Sequence, residues 1–227
     1  MRIAEIFYSV QGEGSLAGVP SVFVRTSGCN LRCSWCDTPY ASWNPEGDDL
    51  SLDAIVRRAK EIDAFGAARH VVLTGGEPMI APGIVELSRL FRERGMHITI
   101  ETAGTVVAPA ACDLMSISPK LANSTPEGVF RAQHERLRLQ TDVLRRLMAA
   151  YDYQLKFVIA REGDVDEVLA LVSQLEAPAG KVILMPEGIA PEVLNERSPW
   201  IAEVCKRYGF RFSPRLHVHL YGDRRGV

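Results

Sequence analysis

The stretch Cys29-Asn30-Leu31-Arg32-Cys33-Ser34-Trp35-Cys36 places three cysteines within eight positions. Thiolates are soft ligands that suit zinc and iron–sulfur clusters. A structural zinc site wants four protein ligands, and only three are local here. Three ligands leave one iron of a cubane open, which is what a cluster that binds a small molecule requires. The competing reading is a zinc knuckle completed by a distant cysteine. Cys112, in an apolar lead-in to a strand, and Cys205, on a helical stretch, are the candidates. Both patterns fit plain buried cysteines. Three such close neighbours in an odd total of five make poor disulfide partners and point to a reducing, cytoplasmic compartment.

Outward from the cysteines, apolar runs of strand length alternate with helix-length segments. Residues 3–10 and 19–26 read as strands, the second rich in β-branched and aromatic side chains (Val22, Phe23, Val24). The cysteine-rich loop follows over 27–47. Ser51 reads as the N-cap of a helix to about residue 65, with Leu52, Ile55, Val56 and Ala59 at helical spacing. A short buried strand at 71–73 ends in Thr74-Gly75-Gly76, and a helix over 82–94 is closed by Gly95. Further strands are expected at 97–101, 114–118, 154–160 and 181–185, with helices over 138–150 and 165–175. Two helices, 191–195 and 199–208, are expected to split at Ser198-Pro199, an N-cap followed by proline at the first helical position. A last strand is expected over 216–221.

This alternation predicts an α/β fold with a parallel sheet and right-handed crossovers. The glycines and polar residues that suggest chemistry follow strands, and in parallel barrels the site forms at that carboxyl edge. The 227 residues suit one domain, 1–227. With 47% hydrophobic and 24% charged residues, a packed core is expected rather than disorder. The formal charge of -2 lacks the basic surplus of a nucleic-acid binder. No apolar run is long enough to span a bilayer, and residues 1–10 lack a signal-peptide layout, so no membrane association is expected.

CxxxCxxC with an aromatic residue, Trp35, before its last cysteine resembles the signature of the radical S-adenosylmethionine (SAM) superfamily. Thr74-Gly75-Gly76-Glu77-Pro78 looks like that superfamily's second motif. Glycines would let the backbone approach a methionyl ammonium, and Glu77 would add negative charge nearby. The resemblance implies an incomplete TIM-type barrel (β6/α3-like, six strands). It also implies a [4Fe–4S] cluster on Cys29, Cys33 and Cys36, whose open iron is chelated by the cofactor. One electron then cleaves the cofactor to methionine and a 5′-deoxyadenosyl radical.

The opening Glu5-Ile6-Phe7-Tyr8-Ser9-Val10-Gln11-Gly12-Glu13-Gly14 narrows the resemblance to the 7-carboxy-7-deazaguanine synthases. Cys36-Asp37-Thr38, Glu101-Thr102-Ala103-Gly104-Thr105, Ser118-Pro119-Lys120 and a histidine-bearing C-terminal stretch add to it. From the residues themselves, Gln11 and Glu13 offer acceptors for the amidine-like edge of a pterin. Arg25, ending an apolar strand, offers a bidentate clamp for a carboxylate, with a surface ion pair the competing reading.

The resemblance implies 6-carboxy-5,6,7,8-tetrahydropterin as substrate, against Val10, Gln11, Gly12, Glu13, Arg25, Thr74 and His217. It puts Mg²⁺ on Thr38. It assigns the cofactor to Trp35, Cys36, Asp37, Gly76, Glu77, Glu101, Ser118, Pro119 and Lys120, and more weakly to Met185, Pro186, Glu187 and Gly188. A flavodoxin- or ferredoxin-type electron donor and a homodimer are further implications. A rival within the superfamily is an activase that installs a glycyl radical on a protein partner. The tail, 222–227, and the segment 121–153 are longer than in short members, so Val227 is left without a role. Leu137, Leu144, Leu147 and Met148 read as core packing on a crossover helix, or as a dimer contact.

Overall fold

The computed structural model describes residues 1–63 and 65–227. The predicted helix beginning after Ser51 is seen as α2 (Leu52–Ile62), with Ser51 Oγ accepting from the Ala54 amide. Its expected last turn runs into residue 64, which lies outside the described residues.

The chain order is β1 (Arg2–Val10), β2 (Pro20–Thr26), α1 (Pro39–Ser42), β3 (Asp48–Asp49), α2, β4 (His70–Gly75), α3 (Ile84–Glu93), β5 (His97–Thr102) and β6 (Leu114–Ile117). Then come α4 (Arg131–Arg138), α5 (Thr141–Ala150), β7 (Tyr153–Ile159), α6 (Asp164–Leu175), β8 (Val182–Pro186), α7 (Pro191–Tyr208), β9 (Arg211–Phe212) and α8 (Leu216–Tyr221). The strands form one open sheet in the order β3-β1-β2-β4-β5-β6-β7-β8-β9. From β2 to β9 every neighbour is parallel, while β1 runs antiparallel to β2 and β3. The expected partial barrel is therefore present. Its six longer parallel strands are extended by the antiparallel β1–β3 edge on one side and the two-residue β9 on the other. No helix among the described residues is long and apolar enough to cross a membrane.

Side chains alternate faces along a strand, and the alternation here separates core from site. Val22, Val24, Val71, Leu73, Ile98, Ile100, Met115, Ile117, Leu155 and Phe157 join the main core under the helices. The opposite parity faces the concave side. It carries Phe7, Phe23 and Val72 as a small apolar floor. Nearer the carboxyl ends it carries Arg25, Thr74, Glu101, Ser116, Ser118 and Lys156. Register sets Arg25 beside Thr74 and Glu101 beside Ser116, so these polar groups form a row across the sheet.

Three expectations need correction. The helix expected over 138–150 is α5, which starts at Thr141, and a further helix, α4, precedes it where none was expected. In α4 only His134 is buried, so the polar sequence gave no helical stripe to read. Leu144 and Leu147 pack in the main core, as the packing reading required. The expected break at Ser198-Pro199 is absent, because α7 runs through it. Ser198 does not cap; its hydroxyl donates back to the Leu194 carbonyl at 2.6 Å. Asn195 and Pro199 are exposed while Leu194, Ile201 and Cys205 are buried, so the carbonyl orphaned by proline faces water. Finally, 216–221 is not a strand but α8. The sheet already ends at β9, and the Leu216 amide donates to the Gly12 carbonyl at 2.8 Å instead of to a strand neighbour. His217 consequently faces inward and His219 is exposed, rather than both sharing a strand face.

The α7 geometry gives a direct test. Pro199→Ala restores an amide to a solvent-facing helical position and should stabilise the protein by about 1–3 kcal/mol. Equilibrium denaturation measures this, and a loss of stability would show that the helix is held in this form only by the proline.

Candidate active site

The cysteine loop leaves the carboxyl end of β2. Cys29, Cys33 and Cys36 are unpaired and share one small apolar nook with Leu31, Ala103 and Leu137. The loop is held by backbone and side-chain bonds from several directions. The Gly28 amide donates to Ala41 O at 2.8 Å and the Ser34 amide to Ser124 O at 2.9 Å. Trp43 Nε1 donates to Cys33 O at 2.9 Å, and the Arg32 amide to His134 Nδ1 at 3.1 Å. Burial pushes the Cys29 thiol up to about 11 and the Cys33 thiol to about 12. Such thiols become thiolates at neutral pH only against a strong positive charge, which an iron cluster supplies.

This donor set fits a cubane bound through three sulfurs. Among the described residues no three His, Cys, Asp or Glu side chains converge tightly enough for a single ion. Cys112 and Cys205 pack with the main core, their thiols directed at Ile98 O and Arg211 O. Neither reaches the nook, so the zinc knuckle lacks its fourth ligand.

The glycine motif presses against this loop. A Cβ on Gly76 would lie 2.2 Å from Gly28 O and 2.5 Å from Ala41 O. Gly75, at φ +136°, would meet Thr26 O at 2.2 Å. Glu77 was expected to lend charge to the cofactor, but its carboxylate is fully buried and does not line the cavity. It accepts from Met79 N at 3.0 Å, Thr102 Oγ1 at 2.7 Å and Ala103 N at 2.8 Å. Burial raises its pKa and these donors oppose the rise.

Beside the loop lies a cavity of about 520 Å³. Sixteen expected site residues line it: Val10, Gln11, Gly12, Glu13, Arg25, Trp35, Asp37, Thr38, Thr74, Gly76, Glu101, Ser118, Lys120, Met185, Glu187 and His217. Pro119, Pro186 and Gly188 flank it without lining it. Glu101 was grouped with the cofactor residues by resemblance. Its carboxylate is hydrogen-bonded to two residues expected at the substrate: Gln11 Nε2 donates to Oε1 at 3.1 Å and Thr74 Oγ1 to Oε2 at 2.8 Å. Lys120 reaches Ser118 Oγ at 2.9 Å and lies over the Trp35 ring. The Thr38 hydroxyl does not cap α1 and lies 3.8 Å from Cys36 Sγ, within hydrogen-bond reach of that thiol.

The charged groups are paired across long sequence distances. Glu13 is ion-paired to Lys156 through one oxygen and to Arg215 Nε at 3.1 Å through the other. Arg215 also pairs with Asp37 and donates to Gly188 O at 2.7 Å. Burial opposes the charge on Glu13, but the Lys156 ammonium and the Arg215 guanidinium outweigh it and hold the carboxyl well below the usual range. For His217 burial dominates and lowers the pKa, favouring neutral imidazole. Arg25 donates to Glu5 Oε1 at 2.6 Å, as does the Tyr40 hydroxyl, and rests over Phe7. Residues 222–227 line the cavity mouth, including Val227. Arg225 anchors them, 3.9 Å over the Tyr40 ring and 2.9 Å from Glu46.

Arg215, Lys156, Glu5 and Tyr40 were not among the expected site residues. Lys156 did carry a signal, since it is the lone charge in the buried run Gln154-Leu155-Lys156-Phe157. Arg215 carried none: one more arginine after a proline looks like a loop residue.

The family model of the Radical SAM superfamily matches residues 23–159. The chain is similar along its length to the 7-carboxy-7-deazaguanine synthase of Rhodopirellula baltica. They are 45% identical, with 100% of this chain and 89% of that protein covered. The enzyme of the same name from Halobacterium salinarum is 43% identical over 98% of this chain and 91% of that protein. The crystal structure of QueE from Escherichia coli superposes with a TM-score of 0.71, covering 95% and 94% of the two chains at 24% identity, a likeness of fold.

The pairing of Glu13 has a pH signature. A carboxyl whose folded pKa is depressed stabilises above its unfolded pKa, and that stability is lost as pH falls through the folded pKa. At neutral pH, Glu13→Gln should cost about 3 kcal/mol, because two buried cations lose their anion. The gap to wild type should shrink on acidification. Denaturation at a series of pH values reads it, and a gap independent of pH would mean that Glu13 is not ionised in the fold.

Proposed function

The chain belongs to the radical SAM superfamily and, within it, to the 7-carboxy-7-deazaguanine synthases; from that premise we propose how its cavity carries out the family's reaction. That reaction contracts the ring of 6-carboxy-5,6,7,8-tetrahydropterin to 7-carboxy-7-deazaguanine with loss of ammonia, in queuosine and deazapurine biosynthesis. The enzyme is a carbon–nitrogen lyase. A [4Fe–4S] cluster carrying S-adenosylmethionine supplies the one-electron chemistry that removes hydrogen from carbon.

Cys29, Cys33 and Cys36 hold the cluster in their shared nook. Trp35, Asp37, Gly76, Ser118 and Lys120 form the cofactor side of the cavity, with Met185 and Glu187 at its far wall. Gln11, Glu13, Thr74, Glu101 and His217 form the substrate side, next to Val10 and Gly12. The observation that carries this assignment is the Glu101 carboxylate, fixed by Gln11 and Thr74 on the concave face. An immobilised acceptor at that place suits the donor edge of a pterin. Arg25 clamps the substrate carboxylate, which takes over from Glu5 as its partner. The Thr38 hydroxyl, a hard oxygen donor, joins substrate oxygens and water around Mg²⁺. An activase for a protein partner has no use for this acceptor set within the cavity.

Reduction by a flavodoxin- or ferredoxin-type donor, a cytoplasmic location and a homodimeric assembly complete the proposal.

Anaerobic turnover of carboxytetrahydropterin with cofactor, reductant and Mg²⁺ should yield 7-carboxy-7-deazaguanine and ammonia. Cys29→Ala should lose both bound iron and turnover; full activity in that variant ends the cluster assignment. Thr38→Ala should weaken the response to added Mg²⁺ while the cluster stays bound. An unaltered Mg²⁺ titration would remove Thr38 as a ligand.

A further inference from the structure

Arg215 enters the cavity from the turn before α8 and is 6% exposed. Its planar fork is used in three directions. Nε donates to Glu13 Oε1 at 3.1 Å, Nη2 pairs with Asp37, and Nη1 donates to Gly188 O at 2.7 Å. Glu13 belongs to the turn assigned to substrate. Asp37 directly follows Cys36 in the loop assigned to cluster and cofactor. Gly188 belongs to the loop after β8 on the cofactor side. The partners lie 202, 178 and 27 residues away along the chain, so nothing local dictates their meeting. The other oxygen of Glu13 is held by Lys156, itself 5% exposed. The four side chains form an alternating line, Lys156–Glu13–Arg215–Asp37. The Asp37 end, at 41% side-chain exposure, opens to the cavity.

We propose that Arg215 is a positioning residue that couples substrate binding to cofactor binding, by making one guanidinium the shared partner of Glu13 and Asp37. The inference rests on the assignment of the two sides of the cavity given above. Its physics is competition for a single cation. Donors from a ligand at Glu13 draw that carboxylate away from Arg215, and the guanidinium then holds Asp37 more tightly. Asp37 and the adjoining cluster loop are thereby fixed before the cofactor arrives. The converse holds when the cofactor binds first, because coupling between sites is reciprocal. A planar fork can serve three acceptors at once, whereas a lysine ammonium at the same place cannot keep this geometry.

The test uses the anaerobic holoenzyme and measures the dissociation constant of S-adenosylmethionine with and without saturating 6-carboxytetrahydropterin. In wild type the pterin should tighten cofactor binding by about fivefold or more, the lower end of usual coupling. Arg215→Lys should reduce that factor to near one with the iron content retained. Should Arg215→Lys fail to hold its cluster, Asp37→Asn, which keeps the shape but removes the shared charge, should show the same loss. Lys156→Met should weaken pterin binding yet keep the coupling factor, since the bridge to Asp37 is intact. A wild-type factor in whichever of the Arg215 and Asp37 variants retains the cluster overturns the inference. So does a factor of one in wild type, which leaves the proposed function standing. Failure of wild type to bind the pterin at all overturns both.

Discussion

The carboxyl edge of the sheet depends on one fully buried carboxylate. Glu77 sits just past β4 with no exposed surface, and its oxygens accept from Met79 N, Thr102 Oγ1 and Ala103 N. A buried carboxyl without partners is costly, so these donors are required wherever Glu77 goes. They come from its own turn and from the carboxyl end of β5, and they tie the two strand ends together. On the other side the Glu77 amide donates to Gly28 O at 3.0 Å and the Gly76 amide to Thr26 O at 3.2 Å. The cysteine loop, the glycine motif and the Thr102-Ala103 turn are thus one hydrogen-bonded seam. Gly75 and Gly76 are needed because any Cβ would drive that seam apart.

With the seam set, strand alternation decides what faces the cavity. The outward parity is apolar and packs under helices, so the inward parity is free to be polar. That freedom is used unevenly. The floor is Phe7 stacked on Phe23 at 4.8 Å, with Val72 beside them. The rim carries the ionisable groups. Exposed pairs such as Arg225 with Glu46 contribute about 0–1 kcal/mol each. The buried line through Glu13 is different in kind. Its formation is near neutral for stability because desolvation offsets attraction, while removing one member strands the others. Its service is to fix where charges stand.

Much of this was legible because burial leaves marks in composition. Except for the two-residue β3, the strands through β8 showed as apolar runs, and the cysteine spacing placed three thiols in one loop. Arg25 stood out as a charge ending an apolar strand. What stayed hidden depends on which surface a segment meets. Residues 216–221 alternate like a strand, yet they form α8 and pair with no strand, and Gly12 O takes the Leu216 amide. Ser198-Pro199 has the letters of a helix start, but the burial of Leu194 and Ile201 carries α7 past it. The burial of Glu77 was not legible in its motif, since two of its three donors come from the distant Thr102-Ala103 turn. Arg215 could not be singled out, since its partners are drawn from three distant loops.

An open sheet needs something to wall its gap, and here the wall is the turn between β1 and β2. From the β2 side it reaches across to β7 and beyond. The Ser15 amide donates to Gln154 Oε1 at 2.9 Å, Glu13 pairs with Lys156, and the Gly14 amide donates to Ser213 Oγ at 2.7 Å. Glycine is enforced twice along it. A Cβ on Gly14, at φ +73°, would sit 2.3 Å from Gln154 Nε2, and one on Gly12 1.9 Å from His217 Nδ1. The same turn that spans the gap therefore lines the cavity, through Gly12 and Glu13. It does so only after β7, β9 and the turn carrying Arg215 are in place, through contacts spanning much of the chain. Contacts of such sequence separation carry the highest closure cost. The helix-backed core can consequently form before the cavity does.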